Sequence, residues 1–404
     1  MLSNIVFWVL LNGYNPTLLS LFVAWLICIV GGGILLRRAL PTHDPFLFPV
    51  ACLMTGWGLL AIFRISVSMS VPFAPRQALW MFVSMGVMLG ITYHSYALKW
   101  LQAYKYVLFF SGLGLLLATV FLGTNPSGLA FAPRLWLGFR QVYFQPSEPL
   151  KIILITFSAS YLREYLHQPS KAQTFFRLDL SILGPPSLMI AFTLGLLVWQ
   201  RDLGTAIVFF VVFLLLLYTA THRLELIAVA VFITLASGWI AYETIATART
   251  RFEIWLNPWG VADSNGYQIV QSLIAIASGG LYGAGFSLGF PDYIPVAHSD
   301  FIFAVIAEEW GLLGALVLLL LTLTVVLRGF KIARQHAHHS FYALLATGLS
   351  VLLAIQSLLI VGGIITLVPL TGVTYPFVSY GGSSLLTSFV ALGILLRLSS
   401  TKPL

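Results

Sequence analysis

Long apolar runs separated by short polar loops make up most of this chain. A helix needs about 20 apolar residues to cross a bilayer core. Runs of that size fall at about 17–36, 46–66, 77–95, 106–123, 149–166, 181–199, 203–221, 225–246, 301–327, 341–367 and 382–398. The pattern predicts eleven helices. At the first, Asn12-Gly13-Tyr14-Asn15-Pro16 either breaks a longer helix or starts a new one. One long loop, about 247–300, interrupts the rhythm. Inside it Gln268–Ser278 is amphipathic but too short to span, which suits an interfacial or re-entrant helix. Gly279, Gly280, Gly283 and Gly285 close that segment, because glycine tolerates the positive φ of a tight turn. The expected fold class is an all-α polytopic membrane protein of about 10–11 transmembrane helices. It forms a single domain over 1–404, with a large outer loop holding short helices. The chain shows no inverted repeat of the kind that builds many transporters.

Composition agrees with the pattern. Hydrophobic residues make up 59% of the chain and charged ones 8%, against about half and about a quarter in a soluble domain. The net charge of +8 is no sign of nucleic-acid binding, since the basic residues are scattered between apolar runs. Cys28 and Cys52 sit in apolar runs and suggest neither a disulfide framework nor a metal site. Met1–Asn12 has no basic n-region or small-residue cleavage site, so no removable signal peptide is expected.

Orientation follows the Lys and Arg positions. With the N-terminus outside, the inner side receives Arg37, Arg38, Lys99, Lys105, Arg163, Lys171, Arg177, Arg223, Arg328, Lys331, Arg334, Arg397 and Lys402, a majority of the 21 basic residues. Arg328–His339 is the clearest inner loop. The outer side receives Arg64, Arg76, Arg134, Arg140, Lys151, Arg201, Arg249 and Arg251, together with Glu148, Asp202, Asp263, Asp292 and Asp300. Clustered charges of both signs there resemble a binding surface.

Five constellations carry chemistry. Asp292, Asp300, Glu308 and Glu309, out of 13 acids in the chain, fall between Pro291 and Gly311, where a loop enters a membrane helix. Ionisable groups are costly in hydrocarbon and mark functional sites. Burial raises a carboxylate's pKa, which suits a general base, and Asp300 is the candidate. His298 and Asp292 are placed to tune it, although Ser299 and Asp300 also suit a helix cap. Glu308 fits a buried hydrogen-bonding role as well as a catalytic one. Ser147-Glu148-Pro-Leu-Lys151 reads as a cap, an acid in the first turn and a lysine on the same face. Lys151 and Arg134 then serve either structure or an anionic headgroup. Arg201-Asp202 sits in a short turn where Asp202 caps a helix or holds a cation. Arg251, beside Trp255 and Trp259, suits either a pyrophosphate or an interfacial anchor. The loop Pro369–Ser384, which holds Ser379, is too rich in Pro and Gly for a helix. Such backbone is tolerated at membrane depth only when buried or lining a cavity. The chain has no Walker loop, no His/Cys metal spacing and no Ser-His-Asp order, so no cofactor is expected.

These stretches resemble the SEDS family of bacterial cell-wall polymerases, which includes RodA, FtsW and SpoVE. The resemblance rests on Arg134-Leu-Trp, Gln145-Pro-Ser-Glu148 with Lys151, Asp202-Leu-Gly-Thr205, Asn257-Pro258, Gly266-Tyr-Gln268 with Gln271-Ser272, Ser278-Gly-Gly280, His298-Ser-Asp300-Phe-Ile-Phe303 with Glu308-Glu309 and Gly311, Pro369-Leu-Thr-Gly372, and Pro376 through Ser383. Asp44-Pro45 and Arg76-Gln77 are similar to the RodA-like branch, and the helix about 17–36 is an addition to a ten-helix core. Arg201 replaces a usual proline, Ile360 a common asparagine, and Asp292 is shorter than a second family acid.

The resemblance implies a peptidoglycan glycosyltransferase that polymerises lipid II on the outer face of the bacterial plasma (inner) membrane. It also implies a class B penicillin-binding protein as partner and Asp300 as the essential residue. An inverting mechanism follows, with Arg134, Lys151, Arg201 or Arg251, or a divalent cation such as Mg or Mn, steadying the pyrophosphate. Asp292, His298 and Ser379 would contact substrate, while Glu148, Asp202 and Glu308 would support the site. Two other classes compete. A lipid-linked precursor flippase needs polar residues continuing into the inner half, and a scaffold activating its partner needs no Asp300.

Overall fold

The computed structural model describes residues 4, 6, 8–10, 13–125, 133–139, 142–166 and 180–401. Arg140, Lys171, Arg177 and Lys402 of the charge pattern lie outside the described residues.

Each predicted run carries a helix. In chain order the helices are α1 Pro16–Ala39, α2 Leu47–Met69, α3 Phe73–Tyr93, α4 Ala97–Ala103, α5 Lys105–Leu122, α6 Ser147–Leu166, α7 Leu180–Trp199, α8 Leu203–Thr221, α9 Leu224–Thr244, α10 Ala246–Leu256, α11 Tyr267–Gly279, α12 Ile302–Gln335, α13 Ser340–Ile364 and α14 Gly382–Ser400. Among the described residues, 8 helices are long and apolar enough to cross a membrane, or up to 9 if α3 and α4, bent by 89°, form one broken span. Asn15 settles the first boundary. Its side chain accepts from Thr17 N at 3.0 Å and Leu18 N at 3.3 Å, with Pro16 in the first turn, so this stretch starts α1.

The chain groups into two compact units. The first comprises Met1–Tyr93, Ala241–Arg328 and Gln356–Ser400; the second comprises His94–Ile240, Gly329–Ile355 and Thr401–Leu404. The first unit is built by close backbone approach. The Trp25 indole donates to Cys52 O at 2.9 Å over Gly56, where a Cβ would come within 2.3 Å of the ring nitrogen. A Cβ on Gly58 would reach Val378 O at 2.4 Å, and one on Gly382 would strike the Trp80 ring. Small residues let helices pack this closely when no water drives them together. Cys28 and Cys52 are both buried and free.

In the second unit Phe109, Leu116, Leu150, Leu154, Phe157 and Phe209 belong to one apolar core. Phe109 and Phe157 lie 4.9 Å apart. A hairpin precedes α6. Its strands, β1 Leu137–Phe139 and β2 Val142–Phe144, are antiparallel, with Gly138 opposite Tyr143. Three-residue strands give too little alternation to be read from sequence.

Three elements depart from expectation. The stretch opening the long loop is helical as α10, because no Gly or Pro interrupts Ala246–Leu256. The expected inner loop Arg328–His339 is mostly the end of α12, whose Lys, Arg, Ala and Gln are good helix formers. Third, α12 is broken at Gly311, where φ is 69° and ψ is −171°. The glycine-rich turn after α11 fills the break. Ala284 N donates to Glu308 O at 2.9 Å and Gly285 N to Glu309 O at 3.1 Å. Leu312 N donates to Gly280 O at 2.9 Å and Leu313 N to Leu281 O at 3.2 Å. Backbone groups freed by a helix break must find partners, and the turn supplies them. A Cβ on Gly283 would come within 2.3 Å of Glu309 O, and one on Gly311 within 2.3 Å of Gly283 N.

Candidate active site

The first unit holds Asp300 in a turn just ahead of α12, which opens at Ile302. Its carboxylate accepts from the Ser299 hydroxyl and feels the Arg251 guanidinium of α10. A side chain on Gly372 would come within 3.5 Å of Asp300 Oδ2 and 4.0 Å of Arg251 Nη2. Gly372 also has φ +71°, so glycine serves there on both counts. Arg251 Nη1 donates to Thr371 O at 3.3 Å, tying α10 to the same loop. Burial raises the Asp300 pKa above 3.8, while the Ser299 hydrogen bond and Arg251 pull the other way. A carboxylate so placed is a candidate proton acceptor beside a fixed positive charge.

The last loop braces this turn. Ser379 Oγ donates to Ser299 O at 2.6 Å and accepts from Tyr375 N at 2.8 Å. Tyr380 N donates to His298 O at 2.8 Å. The His298 ring stacks on Phe73 at 4.2 Å and meets Tyr380 edge-on at 5.4 Å. Burial lowers the His298 pKa to about 4, and its Nδ1 has no hydrogen-bond partner among the described residues. Burial raises the Tyr380 pKa, and Arg76 bonds its hydroxyl.

The expected helpers of Asp300 take other places. Ser379, expected to touch substrate, is 3% exposed with its hydroxyl spent on the protein, so its observed task is bracing. Asp292 is exposed and accepts from Ser68 Oγ at 2.9 Å. His298 packs among aromatic rings, and Ser299 and Arg251 act on Asp300 instead. Glu308 is 5% exposed, and its Oε1 accepts from Phe290 N at 3.1 Å. Glu309 pairs with Arg64 Nε at 3.0 Å, and Arg64 Nη2 donates to Gly289 O at 2.7 Å.

The second unit gathers a separate charged group. Lys151, 1% exposed, pairs with Glu148 at 2.7 Å, so the lysine is enclosed rather than reaching for water. Ser147, expected to cap α6, is the first residue of it and donates to Asp202 Oδ2 at 3.3 Å. Asp202 caps α8 by accepting from Thr205 N at 3.2 Å, and it pairs with neither Arg201 nor Lys151. Arg134 and Arg201 are exposed, and Arg201 has φ 62°. Among the described residues no three His, Cys, Asp or Glu converge to hold a metal.

Sequence reasoning missed Arg64 and Gln77 as parts of the site. Their partners are more than 200 residues away, and no local pattern reports such a pairing.

The fold and its apolar helices define a multi-pass membrane protein. The chain belongs to the FTSW_RODA_SPOVE family, "Cell cycle protein", which it matches over residues 45–403. The helix α1 lies ahead of that match. Among its relatives, the peptidoglycan glycosyltransferase RodA of Mycobacterium leprae is 35% identical over 96% of this chain and 83% of its own length. The probable peptidoglycan glycosyltransferase FtsW of Bacillus subtilis is 32% identical over 90% of this chain and 92% of its own. A solved chain from a peptidoglycan synthase complex superposes with TM-score 0.69 at 24% identity, covering 88% of this chain and 97% of that one. A mutant of the rod shape determining protein RodA of Thermus thermophilus gives 0.60 at 23%, again covering 88% and 97%.

Proposed function

We propose that the chain is a peptidoglycan glycosyltransferase that polymerises lipid II into glycan strands on the outer face of the bacterial inner membrane. The observation that carries this reading is the Asp300 carboxylate, held by Ser299, beside Arg251 and against a side-chain-free Gly372. The relatives named as peptidoglycan glycosyltransferases support the reaction class.

In the proposed step Asp300 takes the proton from the acceptor 4-hydroxyl. The oxygen attacks the anomeric carbon of the donor, the bond to pyrophosphate breaks, and the configuration inverts. A separate base and an opposite leaving group resemble the geometry of inverting glycoside transfer. Arg251, whose charge acts on Asp300, would steady the departing charge. Lys151, Arg134 and Arg201 remain proposed contacts for anionic substrate groups. A divalent cation such as Mg or Mn on the pyrophosphate would supply the same positive charge. A class B penicillin-binding protein is the proposed partner, and the fold match to a synthase-complex chain supports it.

The test is strand synthesis from labelled lipid II by the purified protein with its partner. Asp300→Ala and Asp300→Asn should lose about 100- to 10,000-fold in rate, the range for a positioned base. Wild-type rates in both would remove Asp300 as the base. Movement of lipid II across vesicles without polymer would favour a flippase.

A further inference from the structure

Gln77 lies near the start of α3, on a different element from every group of the Asp300 turn, and it is 2% exposed. A glutamine amide offers one acceptor and two donors, and here both ends are engaged. Nε2 donates to Ser379 O at 3.1 Å, and Oε1 accepts from Gly381 N at 3.2 Å. The amide thus grips two positions of the last loop and fixes the residues between them. Those residues hold the Asp300 turn, through Ser379 Oγ to Ser299 O and Tyr380 N to His298 O. Phe73, one turn before Gln77, adds the ring contacts to His298 and Tyr380.

We propose that Gln77 is a positioning residue for Asp300, setting the base through Ser379 without touching substrate. The proposal rests on the reading of Asp300 as the base. The chemistry is specific to an amide at this length. Glutamate loses the donor and sets a negative group against Ser379 O, methionine loses both bonds at similar volume, and asparagine is one methylene short. The Asp300 turn would then keep its hydrophobic packing but lose its register. A misplacement of about 1 Å can cost about 100-fold in rate.

The experiment compares Gln77→Met, Ser379→Ala, the double variant and Asp300→Ala in the partner complex, by steady-state lipid II polymerisation and thermal midpoint. Gln77→Met should lower kcat by about 10- to 100-fold with KM within about two-fold. Ser379→Ala should show the same split. The double variant should lose no more than the worse single one, since both act through one chain of bonds. Unchanged kcat in Gln77→Met overturns the proposal, as does a rise in KM in Ser379→Ala, which would make that hydroxyl a substrate contact. Losses that simply add overturn it too. Should Gln77→Met fail to fold, the kcat and KM of Ser379→Ala decide. Wild-type polymerisation by Asp300→Ala would sink the base assignment itself, whatever the Gln77 variants do.

Discussion

At the scale of the residue, the proposed role of Asp300 as the base predicts a pH dependence. A base works only when ionised, and burial has moved its pKa above 3.8. The acid limb of kcat/KM should therefore have its midpoint above the ordinary carboxylate range, and a limb at or below 3.8 would contradict the burial. The stability sign is the reverse. A carboxyl whose folded pKa is raised favours the neutral form, so its contribution is full below the unfolded pKa and fades as pH rises through the folded one. Asp300→Asn should thus match or exceed wild type in thermal midpoint at neutral pH while losing activity. His298, lowered to about 4, stays neutral through that range and should add no limb near pH 6.5. Arg251→Gln should lower kcat while leaving the fold intact, because its bond to Thr371 O is a long one at 3.3 Å. The candidate base was legible in the sequence because an acid at a loop-to-helix border is costly without a task. The surroundings of Asp300 were not, since Ser299, Arg251 and Gly372 meet only through the fold.

At the scale of the element, α12 and the turn after α11 form one device. The glycines of that turn read as a helix stop, and their positive φ values at Gly280, Gly283 and Gly285 bear this out. Their second use, filling the break at Gly311, depends on a stretch of backbone arriving from 24 to 32 residues earlier. Gly311→Ala should be strongly destabilising, since it pairs a positive φ with a Cβ only 2.3 Å from Gly283 N. A thermal midpoint within a degree or two of wild type would refute the close approach. Arg64 and Glu309 secure the same region from α2, with Glu309 fully enclosed and Arg64 12% exposed. Stranding a buried charge costs about 3–5 kcal/mol, whereas removing both partners is often near neutral. Arg64→Met should therefore sharply lower the thermal midpoint, and Arg64→Met with Glu309→Gln should recover most of it. Equal losses in the single and double variants would show that the pair carries no coupling.

At the scale of the whole molecule, the proposed orientation can be measured. A cysteine replacing Tyr282, 79% exposed beside the Gly311 break, should react with an impermeant thiol reagent in intact cells. A cysteine at His338, in the turn after α12, should react only after permeabilisation. The opposite pattern would reverse the membrane faces. Cys28 and Cys52 are buried and should give little background. The membrane class and the helices of the eleven apolar runs follow from the sequence alone, because a run of about 20 apolar residues is most stable in the bilayer core; α10 and the break in α12 do not. The capping of α8 by Asp202 and the candidacy of Asp300 also follow from the sequence, since each is a local cost or preference. Only the tertiary structure decided what surrounds Asp300. It gave Ser379 to bracing, joined Gln77 to a loop 302 residues on, and set Arg64 against Glu309. Those pairings satisfy buried polar groups across distant segments, and a one-dimensional pattern carries no record of which segments meet.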